Sequence, residues 1–232
     1  MRVDNTTEPK SSTIVAPSDA VHLIQEPEPF VSRSGRKLAG ALDEFGVDPT
    51  DAHCLDVGAS TGGFTDCLLQ RGAADVVALD VGYGQLHWRV RSDPRVTVVE
   101  RTNFRHADPA SIGAPFDLVV ADVSFISLSL LAPRFRAVGA DDASWVLLVK
   151  PQFEAGKGDV GKGGLVTDPD IHRTVLMSVV DAFSGVGLEC QGLHVSSITG
   201  AKGNIEFVGW FRTEGPRVDR TVIDRVVGEA HS

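Results

Sequence analysis

The stretch LDVGASTGGFTD, Leu55–Asp66, decides the fold of this chain. The apolar run His53–Val57 predicts a strand that leads into it, and the pattern over Phe64–Arg71 predicts the helix that follows. Three glycines permit a sharp turn and the close approach of a ligand to the backbone: Gly58, Gly62 and Gly63. The free N–H groups at the start of the helix suit a polar or anionic ligand. We therefore expect a strand–loop–helix unit that binds a ligand at one edge of a sheet.

Alternating strand-like and helical patterns extend outward from this unit. Further strands are predicted at Asp75–Asp80, Val96–Val99, Phe116–Ala121 and Trp145–Val149. One helix precedes the unit and stops at Gly46, and another runs from about Asp168 to about Ser184. Leu188–Val195 and Ile205–Phe211 are predicted as an antiparallel pair. Because continuous apolar strands alternate with helices, the sequence predicts an α/β fold with a doubly wound, mostly parallel, seven-stranded Rossmann-like sheet.

Composition narrows the class of protein. A chain of 232 residues with 42% hydrophobic and 23% charged residues fits one α/β domain with a short appendage. No apolar run reaches the roughly 18 residues of a membrane helix, and the polar first residues lack the apolar stretch of a signal peptide, so we expect a cytoplasmic protein. The three dispersed cysteines show no metal-binding spacing, and no metal is expected.

The net charge of the chain limits how it can bind nucleic acid. A net charge of −9 argues against a protein that coats nucleic acid by charge alone. Two local basic clusters remain available to an anionic partner. The first contains Arg33, Arg36 and Lys37, and the second contains Arg89, Arg91, Arg95, Arg101 and Arg105.

Two acids bracket the glycine loop and favour a nucleoside cofactor. Asp56 ends the first strand and Asp80 ends the second, where a carboxylate can accept hydrogen bonds from both hydroxyls of an adenosine ribose. The spacing GxxxGG differs from the GxGxxG of dinucleotide enzymes and favours S-adenosylmethionine over NAD, with a plain tight turn as an alternative. Asn103 follows the third strand and is a candidate for the adenine edge or for a turn. The candidate cofactor-binding residues are Asp56, Gly58, Ser60, Thr61, Gly62, Gly63, Phe64, Asp80, Val81, Asn103 and Asp122.

Four ionisable residues form a candidate catalytic group. Asp122 follows the fourth strand, Lys150 follows the fifth, Lys37 opens the first helix and Glu206 starts a late strand. Each residue has a simpler interpretation, such as a helix cap for Asp122 or a surface position for Lys150. Together they suit methyl transfer to a ribose hydroxyl, which needs alignment, removal of one proton and stabilisation of developing negative charge.

Several uninterrupted blocks within residues 30–212 carry a family resemblance. They are VSRSGRKL (Val31–Leu38), CLDVGASTGGFTDCLLQRGA (Cys54–Ala73), ALDVGYGQL (Ala78–Leu86), DPRVTVVERTN (Asp93–Asn103), DLVVADVSFISL (Asp117–Leu128), LLVKPQFEAGK (Leu147–Lys157) and GNIEF (Gly203–Phe207). In these blocks the chain resembles the TlyA (haemolysin A) group of ribosomal RNA 2′-O-methyltransferases, whose catalytic domain is FtsJ-like.

The resemblance implies a function and a set of roles. The family's Lys–Asp–Lys–Glu tetrad corresponds to Lys37, Asp122, Lys150 and Glu206. Lys150 is expected to activate the 2′-hydroxyl with Asp122 as its partner, while Lys37 and Glu206 position the substrate. The implied activity is S-adenosylmethionine-dependent methylation of cytidine riboses in RNA of the small or large ribosomal subunit.

The resemblance also suggests a domain organisation. Residues 1–30 are expected to be a linker and the remnant of an S4-type RNA-binding domain that lacks its two helices. Residues 31–213 form the methyltransferase domain, and residues 214–232 are predicted to be a polar tail that can include one short helix. The shortened S4 region leaves open a protein that binds the cofactor or RNA without turnover. A membrane-active haemolysin and a dehydrogenase are two further hypotheses, the former disfavoured because no cationic amphipathic helix is evident.

Overall fold

The computed structural model of the chain describes residues 2–3, 6–7, 16, 21–22, 28–200 and 202–232. Its first elements are three two-residue strands, β1 (Arg2–Val3), β2 (Thr6–Thr7) and β3 (Val21–His22), which pair antiparallel in the order β2-β1-β3. The S4-type remnant predicted for residues 1–30 otherwise falls on residues outside the described ones, so it stays a prediction.

A seven-stranded sheet carries the rest of the chain. Its strands are β4 (His53–Val57), β5 (Asp75–Leu79), β6 (Val96–Val99), β7 (Phe116–Ala121), β8 (Gly139–Val149), β9 (Glu189–Val195) and β10 (Phe207–Arg212). The order across the sheet is β6-β5-β4-β7-β8-β10-β9. β4 to β8 are parallel, and β10 runs antiparallel to both β8 and β9. This arrangement confirms the predicted mostly parallel α/β sheet.

Helices cover both faces of the sheet. They are α1 (Ser34–Phe45), α2 (Gly63–Gln70), α3 (Trp88–Arg91), α4 (Leu128–Val138), α5 (Pro151–Glu154), α6 (Pro169–Ser184) and α7 (Arg220–Ala230). One apolar core joins the sheet to α1 and α2, and a second joins its other face to α4, α6 and α7. No helix in the described part of the chain has the length and apolar character needed to cross a membrane.

Local sequence signals fix the ends of the predicted helices. α1 ends at Gly46, whose φ of 64° is the left-handed conformation that glycine adopts without strain. α6 begins where it was predicted, because the Asp168 side chain accepts a hydrogen bond from the Asp170 N–H and Pro169 fits the first helical position. α4 has no counterpart among the predicted elements, since Pro133 inside it interrupts the helical pattern.

Residues 214–232, predicted to be a polar tail that can include one short helix, contain a helix that packs on the domain. This helix is α7, an eleven-residue element whose first turn is capped by the Asp219 side chain. One face of α7 is apolar and buries Ile223, Val226 and Val227 in the core beside α6 and β9. The polar residues that suggested a tail occupy the solvent face of an amphipathic helix.

Replacing Ile223 with alanine tests this packing. The substitution is expected to lower the free energy of unfolding by about 2–4 kcal/mol, because it leaves a cavity among buried side chains. Arg225→Ala, on the exposed face of the same helix, is the matched control and is expected to change stability by less than about 0.5 kcal/mol. Equal effects of the two substitutions in urea denaturation would show that α7 does not pack on the domain.

Candidate active site

Two adjoining cavities open at the carboxyl ends of the parallel strands. We call the larger one the lysine cavity; it has a volume of about 660 Å³, and Lys37 and Lys150 are among its lining residues. The second, the strand-end cavity, has a volume of about 340 Å³ and lies along the ends of β4, β5 and β7. Both are lined by Gly58, Ser60, Asp122, Ser124 and Phe125, so the two spaces meet at these residues.

Asp122 and Lys150 form an ion pair at the junction of the cavities. Asp122 directly follows β7 and Lys150 directly follows β8, and these strands are parallel neighbours. Lys150 Nζ lies 2.5 Å from Asp122 Oδ1 and donates a hydrogen bond to Ser124 Oγ at 2.8 Å. The side chain of Lys150 is 10% exposed and that of Asp122 is 17% exposed, which limits screening of their charges by water. Pro151, at the first position of α5, fixes the chain next to the lysine.

Lys37 and Glu206 form a second pair in the wall of the lysine cavity. Lys37 lies in the first turn of α1 and donates to Glu206 Oε2 at 2.5 Å, and both side chains are buried. Gln152 Nε2 makes a long contact of 3.5 Å with the other carboxylate oxygen. A side chain at Gly200 would collide with that same oxygen, so the close approach of the chain to Glu206 favours glycine there. All four predicted catalytic residues thus face one cavity.

Asp80 anchors the glycine loop beside the strand-end cavity. It follows β5, and its two carboxylate oxygens accept hydrogen bonds from the N–H groups of Ser60 at 2.8 Å and Gly82 at 2.6 Å. Gly58 has a φ of 83°, and a Cβ atom there would lie 2.9 Å from the Asp122 carbonyl oxygen. Glycine at this position therefore keeps the loop close to the end of β7 while leaving the cavity open.

Most of the remaining predicted cofactor residues also line the cavities. Val81 and Asn103 line the strand-end cavity, while Thr61 and Phe64 line the lysine cavity. Asn103 forms the turn considered for it, because its side chain accepts a hydrogen bond from the Arg105 N–H and caps a short 3₁₀ turn, while its contact with an adenine edge stays a prediction. A residue can thus contribute to a cavity and to the turn that shapes it.

Gly62 and Gly63 serve packing and line neither cavity. A Cβ atom at Gly62 would lie 2.8 Å from Leu86 Cδ1, and one at Gly63 would overlap the hydroxyls of Ser32 and Ser34. Gly63 lets α2 approach the chain that enters α1, and Gly62 lets the start of α2 approach Leu86. The structure gives both glycines a packing role, and their contact with a ligand stays a prediction.

Asp56 is also placed away from both cavities. It lies inside β4, is 0% exposed and points toward α2, where Thr65 Oγ1 donates to its Oδ2 at 2.6 Å. Its Oδ1 has no hydrogen-bond partner among the described residues. Burial raises the pKa of Asp56 to about 7, and the Thr65 hydrogen bond only partly opposes that rise. The carboxyl group supports the loop from behind.

Sequence reasoning missed three side chains of the site. Ser124 and Gln152 each stand two residues after a predicted catalytic residue and contact the ion pairs. Phe125 stands at the mouth of both cavities, 92% exposed and with a φ of 66°, and its ring lies 5.1 Å from that of Phe153. An exposed aromatic ring in a strained conformation at a cavity mouth favours a contact with a ligand.

Comparison with known proteins agrees with this arrangement. A model of the FtsJ-like methyltransferases matches residues 30–213. The 16S/23S rRNA (cytidine-2′-O)-methyltransferase TlyA of Mycobacterium tuberculosis is 47% identical over 218 residues, which cover 94% of this chain and 81% of that protein. A solved structure from Streptococcus thermophilus, described as a candidate hemolysin, is 44% identical with a TM-score of 0.85 and covers 89% of this chain and 76% of its own.

A more distant structure shares the fold alone. The S-adenosylmethionine-dependent methyltransferase from Mesorhizobium loti superimposes with a TM-score of 0.56 at 15% identity. The superposition covers 77% of this chain and 99% of that one. The sheet and its flanking helices therefore recur where little of the sequence does.

Replacing Asp56 with asparagine tests its placement behind the loop. A carboxyl group whose pKa is raised in the folded state favours folding in its protonated form, so its contribution to stability falls as pH rises from about 4 to about 7. Asp56→Asn does not titrate and is expected to stabilise the protein relative to the wild type at pH 8 by a few kcal/mol, at about 1.4 kcal/mol per pKa unit. The gain should shrink toward pH 4.

The matched control is Asp43→Asn on the exposed face of α1. Arg71 holds the pKa of Asp43 below its usual value, so loss of that carboxylate gives no stabilisation at high pH. Urea denaturation at pH 4.5 and pH 8 provides the comparison. If Asp56→Asn raised the free energy of unfolding equally at both pH values, the buried position of Asp56 with its raised pKa would be contradicted.

Proposed function

The chain belongs to the FtsJ-like methyltransferase family, and from this premise we propose that it methylates the 2′-hydroxyl of cytidine riboses in ribosomal RNA with S-adenosylmethionine as donor. The observation that carries the proposal is the Asp122–Lys150 ion pair at the meeting point of two cavities. One cavity suits a nucleoside cofactor and the other an acceptor. Ribosomal subunits in the cytoplasm are the proposed setting.

The strand-end cavity fits the cofactor. The Asp80 carboxylate is positioned by two backbone N–H groups and can accept hydrogen bonds from ribose hydroxyls, while Asn103 offers a polar edge to the adenine. Gly58 keeps the loop open where the cavities meet. When bound there, S-adenosylmethionine supplies an electrophilic methyl group.

Lys150 is proposed to activate the acceptor hydroxyl. Its ammonium group, held by Asp122 and Ser124, donates a hydrogen bond to the 2′-oxygen and stabilises the negative charge that develops on it. The proton released from the hydroxyl passes to the Asp122 carboxylate, because the Lys150 ammonium has no lone pair to accept it. Lys37 and Glu206 line the same cavity and orient the ribose.

Catalysis explains the two buried ion pairs better than binding alone. Removing a lysine and a carboxylate from water costs free energy that their attraction often fails to recover, so such pairs contribute little to stability. Two of them face the same cavity here. A protein that only bound its cofactor would have no need of charges fixed around the acceptor space.

The mouth of the cavities suits single-stranded RNA. Phe125 offers an exposed ring on which a base can stack. Arg33 and Lys202 line the lysine cavity and Arg105 lines the strand-end cavity, where they can contact phosphates. These local cations can bind the phosphates of RNA although the chain as a whole carries a net charge of −9.

The decisive substitution is Lys150→Ala. Methyl transfer to ribosomal subunits is expected to fall by at least about 100-fold, since a positioned acid–base group contributes 10²–10⁴ to rate. The affinity for S-adenosylmethionine should stay within about threefold, because most of the cofactor contacts lie elsewhere. Transfer of labelled methyl groups and calorimetry measure the two quantities. Retained transfer in this variant would refute the proposed role.

Asp80→Ala, in contrast to Lys150→Ala, is expected to weaken the binding of S-adenosylmethionine. The dissociation constant for S-adenosylmethionine should rise by about 10- to 100-fold, which corresponds to the loss of one or two hydrogen bonds to a charged group. Asp43→Asn, a surface change that also removes one negative charge, is the control and should leave binding unchanged. An unchanged affinity for S-adenosylmethionine in Asp80→Ala would contradict the placement of the cofactor in the strand-end cavity.

A further inference from the structure

Asn204 joins two loops in the wall of the lysine cavity. Its side chain is buried, and its Oδ1 accepts a hydrogen bond from the Val166 N–H at 2.9 Å. Its Nδ2 donates to the Gly164 carbonyl oxygen, also at 2.9 Å. Asn204 stands two residues before Glu206, so the loop that carries this carboxylate is fixed to the glycine-rich loop at 161–167. Asn204 and Gly164 both line the lysine cavity.

The same glycine-rich loop is held from behind by two histidines. His172, which is fully buried in α6, has its Nε2 3.1 Å from the Val166 carbonyl oxygen. Its Nδ1 lies 3.0 Å from Nε2 of His231, which follows α7. Since a carbonyl oxygen only accepts, Nε2 of His172 carries a proton and donates to Val166. Nδ1 of the neutral ring then accepts from Nε2–H of His231.

The surroundings of His172 favour this neutral form. Burial lowers the pKa of His172, and the neighbouring His231 lowers it further, while Asp168 at the start of α6 opposes the shift. Phe207 presents its ring edge-on at 5.3 Å. The imidazole therefore stays neutral, and the hydrogen bond to the Val166 carbonyl oxygen fixes its tautomer.

We propose that His231, His172 and Asn204 form a relay through which α7 holds the acceptor side of the active site in position. The links run from His231 to His172, from His172 to Val166, and from Val166 to Asn204 beside Glu206. None of the three side chains lines the strand-end cavity. The relay rests on the proposed function, and it assigns these residues to positioning: they affect turnover and acceptor affinity without affecting cofactor affinity.

His231 offers the clearest test because it is exposed, so its replacement spares the core. In His231→Ala, kcat for methyl transfer is expected to fall about fivefold, the value of one neutral hydrogen bond. His231→Gln should restore most of the rate, since the glutamine Nε2–H can donate to His172 in the same way. Arg225→Ala, on the solvent face of α7, is the matched control and should leave the rate unchanged.

Asn204→Ala tests the other end of the relay. It is expected to lower kcat by about 10-fold or more, because two hydrogen bonds are lost. The double variant with His231→Ala should be no slower than Asn204→Ala alone, since both substitutions release the same loop. Hydrogen exchange at the Val166 amide should accelerate in the two single variants, and the dissociation constant for S-adenosylmethionine should stay within about twofold of the wild-type value.

The outcomes separate the relay from the proposed function. Equal rates in His231→Ala and His231→Gln, additive losses in the double variant, or weakened cofactor binding would overturn the relay. If the wild-type protein transferred no methyl group to RNA, the proposed function would fail. Exchange at Val166 would still show whether the relay holds the loop, because that measurement does not depend on turnover.

Discussion

The ion pair between Asp122 and Lys150 is the constraint on which the rest of the site depends. Two parallel neighbours, β7 and β8, end at the same edge of the sheet, and each is followed directly by one charged residue of the pair. A carboxylate beside a lysine in this poorly hydrated position partly offsets the free-energy cost of removing its charge from water. The parallel pairing of β7 with β8 places Asp122 beside Lys150, so the sheet itself positions the proposed catalytic pair.

The pair also divides the space around it into two compartments. Asp122 and Gly58 stand where the cavities meet, with the cofactor side formed by the ends of β4, β5 and β7 and the acceptor side by the chain around α1, α5 and Glu206. Lys37 and Glu206 form a second, buried ion pair in the wall of the lysine cavity. The proposed transfer therefore takes place across a boundary made of short, rigid segments, and the loops that complete the acceptor wall are tied to α6 and α7.

Sequence patterns could predict the sheet because most of its strands contain a short apolar run with a break at its end, whereas the polar first half of β8 was not predicted. They could also place Asp80 and Asp122 at strand ends, where side chains leave the sheet. The burial of Asp56 was missed although alternation along β4 puts it on the same face as Cys54, toward α2. The contact of Lys37 with Glu206 spans 169 residues, so no local pattern contains it, and the sequence could name both residues as candidates without predicting that they pair.

A structure of the protein with bound S-adenosylhomocysteine tests the central claim most directly. We expect the adenosine beside Asp80 and the sulfur directed toward the junction, within about 6 Å of Lys150 Nζ, which is roughly one near-attack contact plus one hydrogen bond. A cofactor product that lay in the lysine cavity, or whose sulfur pointed away from the Asp122–Lys150 pair, would contradict the proposed division of the site.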